Sequence, residues 1–227
     1  MFRIKFNQIV NVSILIASLI LNGCSDNIVA SRATPVVDRS FITGEICNPP
    51  CWYGSEINKS TKRETLLILG QQPFVKSQSL KEYETYWTSD IPATAVQYDC
   101  VTSESRPCGI LTFHEGILVE NWIAVNYDLM LESVIQRLGA PDYLTYFWPN
   151  PSGVCEISVL WIEKGTSVSF DDRDKYNECE NIIDGNKLSP DILVKSVLYT
   201  SKDVLVNSIN ITGGCCETIK WTGFKSD

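Results

Sequence analysis

Leu129-Met130-Leu131-Glu132-Ser133-Val134-Ile135-Gln136-Arg137-Leu138-Gly139-Ala140-Pro141-Asp142-Tyr143-Leu144 is the stretch whose reading decides the fold. Leu131, Val134, Ile135 and Leu138 recur at i, i+3, i+4 and i+7, which places them on one buried stripe of a helix. Gly139 follows the last periodic residue, and Pro141 stands just beyond it. A glycine at that position takes the left-handed conformation that closes a helix, and the proline forbids its continuation. An earlier stretch has the same plan: Ser60-Thr61-Lys62-Arg63-Glu64-Thr65-Leu66-Leu67-Ile68-Leu69-Gly70-Gln71-Gln72-Pro73-Phe74-Val75. It too reads as a short helix ending Leu-Gly, then proline, then an apolar pair. At its start Thr61 and Glu64 have capping-box spacing.

Strand-like runs follow each helix. After the first come Glu82–Thr88, Ala95–Val101, Gly109–His114 and Ile117–Trp122; Leu111 and Phe113 alternate with Thr112 and His114, as in a sheet with one wet face. His114-Glu115-Gly116 reads as a tight hairpin turn. After the second helix come Tyr143–Trp148, Cys155–Glu163 and Thr166–Phe170, with Lys164-Gly165 as another turn. Cys155, Ile157, Val159 and Trp161 share one face of the middle strand. Val194–Thr200 is a further strand, Val204–Thr212 a strand or short helix, and Trp221-Thr222-Gly223-Phe224 a terminal strand that docks its aromatics. The economical architecture is an α+β domain of two tandem helix-plus-antiparallel-meander repeats with the helices on one sheet face. The expected divisions are 46–122 for the first repeat and 123–227 for the second with its C-terminal strands.

The N-terminus carries an address. Arg3 and Lys5 precede the largely apolar Ile9–Leu21, a secretory-signal pattern too short and interrupted for a membrane span. Leu21-Asn22-Gly23-Cys24 resembles the bacterial lipobox, which implies a signal peptide over 1–23 and a lipid-bearing Cys24. Residues 24–45 show no periodicity and read as a flexible tether, with the folded part beginning near Cys47. Removing 1–23 lowers the basic residues from 19 to 17 against 27 acidic ones, a formal charge of −10. Nucleic acid and an anionic bilayer are thereby excluded as main partners, since both need clustered Lys and Arg.

Cysteine parity fits the same address. Of nine cysteines, eight remain if Cys24 carries lipid: Cys47, Cys51, Cys100, Cys108, Cys155, Cys179, Cys215 and Cys216. Eight thiols in an oxidising exterior form a disulfide framework. Local spacing favours Cys100 with Cys108 across the Glu104-Ser105-Arg106-Pro107 turn, and Cys47 with Cys51 around Pro49-Pro50. The other four join Cys155 and Cys179 to each other or to the Cys215-Cys216 pair.

The repeated helix ending Leu-Gly-x-Pro before a meander resembles the SmpA/OmlA lipoprotein repeat, and its tandem form resembles the fold of the β-lactamase inhibitor protein. The likeness covers 52–88 and 122–170 best. The lead-in Pro50-Cys51-Trp52-Tyr53-Gly54 and the closing Trp-x-Gly-Phe are similar to exported bacterial lipoproteins. Gln71-Gln72 stands where one residue is usual. The resemblance implies a protein-binding surface on a concave sheet, and no contact residue is carried over.

Catalytic patterns are absent from the sequence. His114 is the only histidine and reads as a solvated strand-end residue. Cys47-Asn-Pro-Pro-Cys51 is longer than the redox Cys-x-x-Cys spacing. Asp171-Asp172-Arg173-Asp174, with Glu178 and Glu180, lacks the calcium-loop pattern and reads as a solvated acidic loop. No metal or cofactor is expected. Aromatic anchors dominate many protein interfaces, so Tyr83, Trp87, Tyr143, Phe147, Trp148 and Trp161 become the binding-surface candidates. The expectation is a non-catalytic protein-binding or envelope-assembly module, lipid-anchored on the extracytoplasmic side, whose partner is an envelope or secreted protein. The alternatives are an inhibitor of a secreted enzyme acting through the Tyr146–Gly153 loop, and an extracytoplasmic enzyme.

Overall fold

A computed structural model describes residues 38–43, 47–88, 90–102, 107–147, 156–171, 188–210 and 216–224. All of them belong to the unit that spans 36–227. The expected signal peptide, Cys24, Trp148, the acidic loop beyond Asp171, and Cys155, Cys179 and Cys215 lie outside the described residues.

In chain order the elements are α1 (Ser40–Thr43), β1 (Cys51–Trp52), β2 (Ser55–Glu56), α2 (Lys62–Gly70), β3 (Lys81–Trp87), β4 (Ile91–Tyr98), β5 (Gly109–His114) and β6 (Ile117–Ala124). Then come α3 (Leu131–Leu138), β7 (Tyr143–Phe147), β8 (Glu156–Trp161), a 3-10 turn (Ile162–Lys164), β9 (Thr166–Asp171), β10 (Ser196–Thr200), α4 (Lys202–Asn210) and β11 (Cys216–Lys220). The fold is α+β. Strands β3 to β11 form one nine-stranded antiparallel sheet in the order β11-β7-β8-β9-β10-β6-β5-β4-β3. β3 to β6 and β7 to β10 are each adjacent in chain order, and the two runs join where β6 lies against β10.

Local chemistry explains the helices. Thr61 caps α2 with its hydroxyl on the Glu64 N–H, and the Glu64 carboxylate returns to the Thr61 N–H at 2.9 Å. The Thr61 N–H and, at 2.8 Å, the Thr61 hydroxyl both donate to that carboxylate and hold it below its usual range. Helix α3 has no side-chain cap and relies on its apolar stripe: Leu131, Val134 and Leu138 are buried, and Ile135 partly so. The two glycine endings differ from expectation. Gly139 takes φ 79° with ψ −179°, a positive-φ but extended exit, whereas Gly70 is the last helical residue and Gln71 closes α2 in the right-handed region. The Gln72 side-chain amide donates to the Ile68 carbonyl, which the Gln71 N–H also reaches, so the last turn of α2 is satisfied without a left-handed glycine.

Alternation gives the sheet two faces. One carries Val96, Tyr98, Leu111, Phe113, Leu118, Ile123, Val197, Tyr199, Val168, Phe170, Ile157, Val159, Trp161 and Leu144, which join Phe41, Leu69, Leu131, Val134 and Leu138 in a single core. Helices α1, α2 and α3 therefore pack on that face. Gly109 is required here, since a Cβ at this position would fall 2.3 Å from the Tyr98 hydroxyl. Among the described residues, the opposite face is covered by α4 at one end only, where Leu205 packs on Leu160 and Ile162. The helices thus do not all lie on one face.

Three further expectations are corrected. The packed body starts before Cys47: Phe41 is buried against Tyr199, and Asp38 accepts from the Trp52 indole N–H at 2.8 Å. The terminal strand is Cys216–Lys220, and Trp221 follows it as coil with its ring edge-on to Phe224. Thr112 is buried, not wet, because it sits mid-sheet between Ala95 and Glu120, whose side chains shield it. Of the run left open as strand or helix, the described part, Val204 to Asn210, belongs to α4.

Candidate functional site

The face opposite the main core offers the best candidate surface. Cross-strand partners share a face, so the registers trace rows across it. One row runs Lys81, Gln97, Ile110, Trp122, Leu198, Ser167, Leu160, Tyr143 and Lys220. The next runs Tyr83, Ala95, Thr112, Glu120 and Thr200. Trp122 and Leu198 are direct partners across the β6/β10 junction, in the middle of the sheet. Trp122, Ile110 and Leu198 are each half-buried, and Tyr83 is 42% exposed.

At the end of this face Trp87 lies 5.9 Å from the His114 ring, and His114 Nδ1 sits 2.9 Å from the Pro92 carbonyl oxygen. The tight turn beside it is as the sequence indicated: Glu115 and Gly116 both take positive φ, as the right-handed twist of a two-residue hairpin demands. His114 is therefore half-buried against an indole, not a free edge residue.

The sequence-predicted aromatics separate into groups. Tyr83 and Trp87 stand together on β3 on the open face. Tyr143 shares that face but lies at the α4 end, packed with Leu160, Val206 and Ile209. Phe147 falls in β7 with its side chain outside the described residues, as is the whole of Trp148. Trp161 is corrected outright: it points into the core, 2% exposed, and its indole N–H is used by the Gly139 carbonyl at 2.8 Å. Trp122 and Glu120 were missed by sequence reasoning. The available signal was the alternation of Glu120 and Trp122 with the buried Asn121 and Ile123, which puts an acid and an indole on the same side of β6.

Glu120 is the electrostatic feature of the face. Its cross-strand neighbours are Thr112 and Thr200, both buried, and among the described residues no donor reaches its carboxylate. Burial alone pushes its carboxyl up from the ordinary range.

A second cluster lies on the core side. The Asp38 carboxylate accepts from the Trp52 indole at 2.8 Å, the Tyr53 hydroxyl at 3.2 Å and the Ser40 N–H at 2.9 Å. Tyr53, Tyr98, Tyr127 and Tyr199 are all pushed above the normal phenol range, by burial first and by the Asp38 charge second. Its role is to pin the lead-in segment to the core. The disulfides Cys47–Cys51 and Cys100–Cys108 are formed as spacing suggested. Among the described residues no group of three His, Cys, Asp or Glu side chains could hold a metal, and no helix is long and apolar enough to cross a membrane. Comparison with protein-family models, curated proteins and solved structures finds no match to this chain.

Proposed function

We propose that this chain is an exported envelope lipoprotein, anchored through Cys24, whose body is a tandem duplication and whose open sheet face binds a protein partner without catalysis. The lipobox-like Leu21-Asn22-Gly23-Cys24 supports the anchor, and two disulfides suit a protein held in an oxidising compartment.

The duplication draws support from hydrogen bonds that recur at constant spacing. Lys62 N–H donates to the Gly116 carbonyl and Leu118 N–H to that of Ser60; Leu131 N–H donates to Ile192 and Val194 N–H to Leu129. The helix-side members are 69 positions apart (60 to 129, 62 to 131), and the strand-side members 76 (116 to 192, 118 to 194). The bridges Thr61 to Ile117 and Met130 to Leu193 keep the same steps. The first step matches the alignment of the two Leu-Gly helices. The second relates Trp122 to Leu198, which face each other at the β6/β10 junction, as a two-fold arrangement of repeats requires.

One observation carries the binding reading: a half-buried row through Ile110, Trp122 and Leu198, with Tyr83 and Trp87 nearby, on a face that, among the described residues, α4 covers at the far end only. Clustered aromatic and aliphatic anchors are the composition of an interface centre. The test is photo-crosslinking in intact envelopes. A photoreactive residue at Ile110 or Tyr83 is expected to join one protein partner, while one at Leu67, on the exposed side of α2, is not. Equal labelling at all positions defeats the binding reading. Mass spectrometry of the N-terminal peptide decides the anchor.

A further inference from the structure

The open face has one feature that apolar docking does not use. At its centre Glu120 stands on β6 with Trp122 two positions along on the same side, flanked by Thr112 and Thr200 in one row and by Ile110 and Leu198 in the next. The nearest lysine in these rows, Lys81, lies at the outer strand β3, three strands from β6. A carboxylate half-buried in mid-sheet, with no hydrogen-bond donor among the described residues, gives up part of its hydration in the free protein at a cost that nothing repays. Its burial alone holds its carboxyl above the ordinary range. Such a group is not explained by the fold, because glutamine or threonine would fill the position without that cost.

Resting on the reading of this face as a protein-binding surface, we infer that Glu120 and Trp122 form a receptor for an arginine side chain presented by the partner. A guanidinium meets both needs at once: its planar fork donates two hydrogen bonds to a carboxylate, and its flat face stacks on an indole. Ile110 and Leu198 on either side of Trp122 would cover the aliphatic stem. The whole chain's formal charge of −8 favours the approach of a basic partner segment. A half-buried carboxylate that is covered and gains its counter-ion only on binding also gives selectivity, since a neutral segment would cover it unpaired.

The experiment uses the full chain and two capped tripeptides, acetyl-Gly-Arg-Gly-amide and its citrulline counterpart, which keeps the shape and loses the charge. The readout is the Trp122 indole N–H resonance, assigned by Trp122→Phe. The arginine peptide is expected to shift it saturably, the citrulline peptide not, and Glu120→Gln to weaken the response at least tenfold. Glu120→Gln removes a charge that has no partner, so the variant is expected to fold, and its unchanged circular dichroism checks this. An equal response to citrulline, or no saturable response to arginine, overturns the inference. A second arm separates it from the broader reading. If the Ile110 crosslink forms and survives Glu120→Gln unchanged, the arginine receptor is overturned while the binding face stands. If no crosslink forms, the binding face fails, and the peptide titration still decides whether this carboxylate accepts a guanidinium.

Discussion

The connection from β4 to β5 and that from β8 to β9 each join the second and third strands of one of the two four-strand runs that make up the halves of the sheet, by different means. In the first half the chain leaves β4 at Tyr98 and enters β5 at Gly109, and the Cys100–Cys108 disulfide ties the two ends of the link together. In the second half the link is one 3-10 turn ending at Gly165, whose φ of 53° is left-handed. A Cβ there would fall 2.3 Å from the Thr200 carbonyl oxygen. The helices differ in the same spirit, α2 being held by a side-chain cap and α3 by a fully apolar stripe. Covalent and polar devices carry the first half. At the matching link and helix of the second half, among the described residues, steric fit does that work.

That contrast can be broken experimentally at four levels. The largest effect belongs to the helix ends, which the two halves share. Leu69→Ala removes a fully buried side chain and is expected to cost about 3 kcal/mol, with Leu138→Ala close behind, measured by denaturant unfolding. A cost confined to one of them would say that the two helices are not equivalent. Next are the two links. Replacing Cys100 and Cys108 together by serine is expected to cost roughly 2.5 kcal/mol through the freed loop. Gly165→Ala should cost a similar amount, about 2 kcal/mol, from strain and the clash with Thr200. Reducing agent should then lower the melting temperature of the Gly165→Ala variant and leave the remaining fall in the double-serine variant small.

Capping gives a smaller, directional test. Thr61→Ala is expected to lose about 1 kcal/mol, whereas Met130→Thr, which adds a cap where α3 has none, should gain up to about 0.5 kcal/mol. Loss of stability in both would mean that Met130 is already committed to packing. The smallest effect is at Glu120. Its carboxyl is raised in the folded state, so the folded protein holds that proton more tightly than the unfolded chain. The stability gained is present below the ordinary glutamate range and is lost as pH rises through the raised value. Glu120→Gln is therefore expected to raise Tm near neutral pH by about 2 °C and to converge with the parent protein near pH ~4. A thermal scan across that window checks the sign; a Tm that falls at neutral pH would mean the carboxylate has a partner after all.

Much of the local structure was legible because it depends on neighbours in sequence. The Thr61/Glu64 box, the Leu131, Val134 and Leu138 stripe, the Glu115-Gly116 turn and both short-range disulfides follow from spacing alone. The docking of Phe41 and Asp38 was hidden, since one aromatic and scattered acids in an aperiodic stretch give no period to detect, and their partners Trp52, Tyr53 and Tyr199 lie beyond the reach of local pattern. The binding-surface candidates failed at Trp161 for a related reason. Alternation assigned it correctly to the face of Ile157 and Val159, but nothing local said that this face is the one the helices cover.

The sequence by itself determined the capped start of α2, the apolar stripe of α3, which strands form hairpins, and which side chains share a face, because each of these is set within a few residues by capping, turn geometry and the two-residue pleat. Tertiary structure decided that β6 and β10 meet, that Trp161 is core and Trp122 is surface, and that Glu120 sits in mid-sheet without a counter-ion. A pleated strand has two faces of equal standing until something packs on one of them, and what packs there arrives from far along the chain.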